Sequence, residues 1–281
     1  MRVERETFYK PEEIAQGVKE KLKQVREKNE PIDYLTFVSD GEPTLDANLG
    51  REIGLLKSSG MRVAVITNAS LIWREDVRQD LQEADWVSLK VDAVSEEIWR
   101  RINRPQKSLK LGAILDGMLR FADSFKGELT TESMLIQGRN DNSEEIEGMA
   151  SFLAELRPDV AYLAIPTRPP AERTVTAAGE QAINMTYQIF SKRLSSVEYL
   201  IGYEGNAFAF TGNAEADLLS ITSVHPMREE AVIAFLKKAG RKWVVIDRLI
   251  KDGSLVEVEY QGRKFYMRKL PQRSRRPLHA T

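Results

Sequence analysis

The sequence predicts an α/β chain of repeated βα units on a parallel sheet, followed by a small winged-helix-like domain. Three observations carry that expectation. Five short apolar runs alternate with segments of helical spacing, a different helix and hairpin pattern begins near Thr211, and 42% of the 281 residues are hydrophobic, enough for one large core or two modest ones.

Pro11 to Asn29 reads as an amphipathic helix with Pro11 in its first turn and Ile14, Val18, Leu22 and Val25 on one face. It precedes any strand, so it is either an N-terminal decoration or a crossover from a strand that the chain lacks. The strand-like runs are Tyr34 to Val38, Arg62 to Ile66, Trp86 to Val91, Leu129 to Ile136 and Val160 to Ile165. Their composition is that of strands buried on both faces. Between them, Asn48 to Ser59, Arg74 to Glu83, a long stretch from Glu96 to Phe125, and Ser143 to Leu156 carry apolar residues three and four apart. Gly60 is a helix stop, and Asn142-Ser143-Glu144-Glu145 a helix start.

In the second block, Met227 to Ala239 and Lys242 to Lys251 read as short helices. Leu255 to Tyr260, a Gln261-Gly262 turn and Lys264 to Met267 form a hairpin. The expected organisation is a βα domain over 1–210, the winged-helix-like domain over 211–270 and a basic, flexible tail over 271–281.

Charge and composition exclude several function classes. The formal net charge of −1 points neither to nucleic acid nor to membrane, and no run of about 18 apolar residues occurs. With a charged N-terminus, this reads as a cytoplasmic protein with no membrane partner. The 260–281 end is locally basic, with Arg263, Lys264, Arg268, Lys269, Arg273, Arg275 and Arg276 and no acidic residue. These cations are candidates for contact with tRNA or another RNA. The chain has no cysteine, which removes thiolate nucleophiles and cysteine-held metal clusters from its own repertoire. His225 and His279, the two histidines, have no neighbours that point to catalysis or a metal.

In a parallel βα array the ligand site lies at the carboxyl ends of the strands, where helix N-termini converge. The residues there are Ser39-Asp40-Gly41-Glu42-Pro43-Thr44, Thr67-Asn68-Ala69-Ser70, Lys90-Val91-Asp92-Ala93, Gln137-Gly138-Arg139-Asn140-Asp141 and Pro166-Thr167-Arg168-Pro169-Pro170. Asp40-Gly41 alone is a common turn, and Asn68 and Ser70 alone are a turn and a helix cap. Lys90 and Asp92 lie on one face two residues apart. They are either an internal salt bridge or a site in which Lys90 binds a carboxylate or forms a Schiff base. Arg168, between prolines, can grip a carboxylate or phosphate. Gly138 to Asp141 is what any exposed βα loop needs.

Taken in order, Asp-Gly-Glu-Pro-Thr-Leu, Ile-Thr-Asn-Ala-Ser-Leu, Trp-Val-Ser-Leu-Lys-Val-Asp-Ala and Ile-Pro-Thr-Arg-Pro-Pro-Ala-Glu resemble the radical S-adenosylmethionine superfamily. The narrower resemblance is to iron–sulfur oxidoreductases related to wyosine-tRNA synthesis enzymes, and it spans Glu4 to Leu270. It implies a partial parallel barrel, with S-adenosylmethionine bound by Asp40, Gly41, Glu42, Asn68, Ser70 and Asp92. Glu42 would take the methionine ammonium, although Asp40 stands where the motif usually has Gly. The family's C-x3-C-x2-C loop would lie just ahead of the segment matching Glu4 to Ile14, so the chain looks like a family member that lacks its first strand and cluster loop, as a late start codon, a fragmentary gene or a natural loss would each give. A [4Fe-4S] cluster is then expected only if such a segment is restored. The intact form cleaves S-adenosylmethionine reductively, with an electron donor, and abstracts hydrogen from a substrate that the sequence does not identify. As given, the chain is expected to keep a weak S-adenosylmethionine site and no activity. The alternatives are a cluster-less ligand- or partner-binding homologue, or an RNA-binding accessory of tRNA modification.

Overall fold

Six parallel strands in sequential order, β1-β2-β3-β4-β5-β6, form the main sheet of the computed structural model. The structure describes residues 2–27, 31–38, 41–170, 172, 174–201, 208, 210–224 and 226–269. Asp40, His225 and the 271–281 tail with Arg273, Arg275, Arg276 and His279 lie outside them.

The chain opens with helix α1 (Pro11–Glu27) and continues through β1 (Tyr34–Phe37), a 3-10 turn at Pro43–Leu45, α2 (Leu49–Lys57), β2 (Arg62–Thr67), α3 (Glu75–Gln82) and β3 (Trp86–Lys90). Next come α4 (Glu96–Asn103), α5 (Leu111–Ser124), β4 (Glu128–Met134), α6 (Ser143–Leu156), β5 (Val160–Ala164), α7 (Glu180–Ser191) and β6 (Val197–Leu200). Neighbouring strands that are consecutive in sequence, joined by helical crossovers, are the arrangement of a partial βα barrel.

The two sheet faces differ. Val63, Val65, Val87, Leu89, Leu129 and Leu163 are 5% exposed or less and pack with Ile53, Leu81, Phe121 and Met149 of the helices. On the opposite face Val38 and Ile66 are each 42% exposed. The expectation of strands buried on both faces is therefore corrected: helices cover one face, while the other is only partly filled. Lys90 and Glu132, both half-buried, belong to this second face.

Local chemistry sets the breaks. Asn142 caps α6, its side chain accepting from Glu145 N at 3.0 Å. Gly60 follows α2 with φ +76°, where glycine carries no steric penalty. The stretch Glu96 to Phe125 is two helices rather than one. Pro105 disfavours helical geometry at the preceding residue, and Arg104 turns the chain there with φ 45° and ψ 54°. Helix α7 and strand β6 were not anticipated from sequence; Glu198 and Tyr199 give β6 a weak apolar pattern.

The chain divides into two units, 1–204 and 205–281. The second contains α8 (Ala214–Val224), β7 (Met227–Arg228), α9 (Glu229–Lys238), α10 (Val244–Lys251), β8 (Leu255–Tyr260) and β9 (Arg263–Arg268). Its antiparallel sheet has the order β7-β9-β8. The expected helix from Met227 starts two residues later, because Met227 and Arg228 pair with Tyr266 and Phe265. Ala231, Phe235, Ile246, Leu249 and Phe265 form its buried centre. Among the described residues no helix is long and apolar enough to cross a membrane.

Candidate functional site

The segment after β1 is built around one carboxylate. Pro43 starts the 3-10 turn, and Glu42, 8% exposed, caps it. Its Oε1 accepts from Thr44 N at 3.1 Å, from Thr44 Oγ1 at 2.7 Å and from Thr67 Oγ1, while Oε2 accepts from Asn68 N at 2.8 Å. Glu42 thereby joins the ends of β1 and β2. Burial pushes its pKa up, and these hydrogen bonds only partly offset that. The turn is fixed from behind by Arg5, which donates to Thr44 O at 3.0 Å and Asp46 O at 2.6 Å and pairs with Asp76 and Asp80.

The second cluster comes from β3 and β4. Lys90 and Glu132 are register partners. Lys90 Nζ lies 2.8 Å from Glu132 Oε1 and 3.2 Å from Asp92 Oδ1. Burial alone would lower the lysine pKa, but the two carboxylates more than reverse this and hold it above its ordinary value. Lys90 is therefore a stable cation at neutral pH, and the salt-bridge reading holds. A Schiff base would need the free amine, which this environment disfavours.

Asp92 is 4% exposed and turned inward. Its Oδ2 accepts from Asn103 Nδ2 at 2.9 Å and its Oδ1 from Met134 N at 3.0 Å, and its backbone oxygen accepts from Asn140 Nδ2 at 2.8 Å. These partners and Lys90 make Asp92 a brace between loops.

Gly41, Glu42, Thr67, Asn68, Lys90 and Glu132 line an open cavity together with Ser88 and the apolar Val38, Pro43 and Ile66. The structure thus brings four of the sequence candidates, Gly41, Glu42, Asn68 and Lys90, to one cavity. Ser70 is not on its wall; its N–H closes a turn on Asn68 Oδ1 at 2.9 Å. Arg168 is half-buried in the loop after β5 and does not line this space. Sequence reading missed Glu132, and it placed Thr67 at the strand end without its bond to Glu42. An ionisable residue inside an apolar strand run was the available signal for Glu132, and the parallel register that sets it beside Lys90 was not.

In the second unit, Arg263 pairs with Glu230 at 3.3 Å and Lys264 with Glu257 at 3.0 Å. Two of the four candidate RNA-contacting cations among the described residues are therefore ion-paired within the fold. Arg268 and Lys269 are exposed at the end of the hairpin.

Residues 3–153 match the Radical SAM superfamily. The chain belongs to this superfamily. UPF0026 protein MJ1312 of Methanocaldococcus jannaschii is 45% identical over 275 residues, covering 97% of this chain and 85% of the relative. A UPF0026 protein of Synechocystis, slr1464, is 35% identical over 150 residues, covering 53% of this chain and 56% of that one. The chain is thus also a member of the UPF0026 family. In fold it is similar to TYW1 with a lysine-pyruvate adduct bound, at TM-score 0.51 and 16% identity, covering 67% of this chain and 64% of that one.

Radical SAM proteins generally bind S-adenosylmethionine and a four-iron cluster. This chain's donor set does not fit the cluster: it has no cysteine, and among the described residues no group of three or more His, Asp or Glu is placed to hold a metal ion. The cavity does fit a cationic amino acid moiety, since Glu42 Oε2 has a single internal donor and borders the open space.

Proposed function

We propose that this chain is the S-adenosylmethionine-binding part of a radical SAM protein whose cluster thiolates are not among its own residues. It would hold the ligand weakly. The observation that carries this reading is the position of Glu42, a buried carboxylate fixed by the ends of two strands at the wall of a polar cavity. Its Oε2 would accept from the methionine ammonium, and the exposed amide of Asn68 would meet the carboxylate or ribose. When bound with a reduced cluster, S-adenosylmethionine supplies radical hydrogen abstraction; no step of that chemistry is assigned to residues of this chain. The alternative, a cluster-less ligand-binding homologue, uses the same cavity without turnover.

Calorimetry with S-adenosylmethionine tests the reading. Wild type should bind weakly, and Glu42→Gln about tenfold more weakly, because an ammonium loses its counter-charge. Affinity should rise with pH as Glu42 loses its proton. Identical titrations for the two proteins would remove Glu42 from the site.

For the second unit we propose a winged-helix-like module, on the order α8, β7, α9, α10, β8, β9. Contact with RNA through Arg268 and Lys269 is the reading favoured by their exposure. The internal pairing of Arg263 and Lys264 limits its strength.

A further inference from the structure

Outside the cavity, a pair of arginines faces one carboxylate in the loops that follow α4, β4 and β5. Arg104 Nη1 lies 2.5 Å from Glu172 Oε1, and Arg139 Nη2 lies 3.3 Å from Glu172 Oε2. The three residues come from three loops, after α4, after β4 and after β5. Each arginine directly follows or precedes an asparagine that bonds to Asp92: Asn103 to its carboxylate and Asn140 to its backbone oxygen. Asn140 is fully buried, so the backbone that carries Arg139 is anchored beside Asp92. Arg104 is held in the left-handed region, a conformation that a non-glycine residue adopts at some cost. Glu172 is also placed from its own side. Val175 N bonds to Glu172 O at 3.1 Å, and the following segment is tied to the end of β4 by Gln137 N to Thr176 O at 3.0 Å.

The local charge exceeds what Glu172 balances. From Ile98 to Leu115 there are five cations and no acidic residue, and with Arg100 paired to Glu96, Arg101, Arg104, Lys107 and Lys110 remain. Two fork-shaped donors that already share one carboxylate have the geometry for an oxyanion, and a dianion suits the surplus positive charge better than a second carboxylate. The same Asp92 contacts Lys90 in the cavity wall, so a chain of contacts through Asp92 and the two asparagines links the arginine loops to that site.

We propose that Arg104 and Arg139 form a receptor for a terminal phosphate group of the substrate, and that Glu172 fills this receptor in the free protein. Binding then requires the phosphate to displace Glu172. This assigns a chemical class to the substrate without depending on S-adenosylmethionine or a cluster.

The test titrates inorganic phosphate into wild type, Glu172→Gln and Glu172→Gln/Arg139→Gln at constant ionic strength, followed by calorimetry. Glu172→Gln should bind phosphate at least tenfold more tightly than wild type, and the added Arg139→Gln should abolish that gain. Acetate should show less than a threefold difference among the proteins. Equal phosphate affinity in wild type and Glu172→Gln overturns the proposal. So does an equal gain with acetate, or equal binding of an oligonucleotide lacking a terminal phosphate, which would mean a diester backbone is read instead. Should Glu172→Gln not fold, Arg104→Gln at an exposed position replaces it. Phosphate should then raise the thermal midpoint of wild type and not of Arg104→Gln, and equal rises overturn the receptor. None of these readouts involves S-adenosylmethionine, so their failure leaves the reading of Glu42 untouched.

Discussion

Lys90 and Glu132 face each other across the β3–β4 pair and join at 2.8 Å, so the lining of the cavity includes an ion pair set by strand register. Lys90 has its pKa raised in the fold by Asp92 and Glu132 against the opposing effect of burial. The stability this contributes is fully present below the unfolded lysine pKa of about 10.4 and is lost as pH rises through the raised folded value. Glu132→Gln should move that loss to lower pH while leaving the thermal midpoint flat between pH 6 and 9. Superimposable alkaline unfolding curves for the two proteins would show that Asp92 alone holds the lysine.

Glu52 on α2 gives the opposite kind of pH effect in a more accessible range. It is 2% exposed, its Oε1 has no hydrogen-bond partner, and burial, reinforced by Asp46 and Asp80, pushes its pKa up to about 7. A raised carboxyl pKa favours the fold at low pH, and that advantage is lost as pH rises from the ordinary carboxylate range through about 7. Glu52→Gln should therefore gain roughly 1–3 kcal/mol over wild type at pH 8.5 and little at pH 4. Urea unfolding at the two pH values measures this; an equal change at both would mean that packing, not charge, decides.

Helix α5 approaches the Ile72–Trp73 backbone so closely that it has room for no side chain. A Cβ at Gly117 would lie 2.7 Å from both Ile72 O and Trp73 N. Gly117→Ala should cost roughly 1–3 kcal/mol despite better helix propensity, because rigid backbone must shift. A lower denaturation midpoint checks it, and a stabilised variant would show that the helix slides freely.

Periodicity and punctuation made most of the sheet legible. Val63, Val65, Val87 and Leu89 announce strands, and the Asn142 cap announces α6, because those signals are local. What stayed hidden depends on tertiary pairing. Met227 and Arg228 look helical until β9 pairs with them, and β6 has Glu198 and Tyr199 where an apolar run would be expected. The same division holds in the site. Glu42 is visible as a motif residue at a strand end, whereas the bracing by Asp92 is not, since its partners Asn103 and Asn140 lie 11 and 48 residues away in sequence.

With no thiolate to ligate iron, the chain on its own should hold no stable four-iron cluster. Anaerobic reconstitution with iron and sulfide, followed by iron analysis and an assay for 5′-deoxyadenosine, is expected to give neither stoichiometric cluster nor turnover. Four iron atoms per chain with product formation would show that other ligands serve.

The exposed end of the hairpin makes a separate prediction about nucleic acid. Arg263 and Lys264 are already engaged by Glu230 and Glu257, so Arg268 and Lys269 are the hairpin cations with most to offer a phosphate backbone. Each phosphate contact made to a single strand adds about 0.7 to the slope of log affinity against log salt, and about 0.9 on a duplex. Bulk tRNA should therefore bind the full chain with an affinity that falls as salt rises. Arg268→Ala/Lys269→Ala should reduce the slope by roughly 1.5, whereas Arg263→Ala should change it little because that guanidinium is held by Glu230. Filter binding at 50 and 200 mM salt compares the three proteins. No salt-sensitive affinity in the full chain would leave the second unit as a packing or docking module, and a slope lost equally in Arg263→Ala would mean that its ion pair opens on contact with RNA.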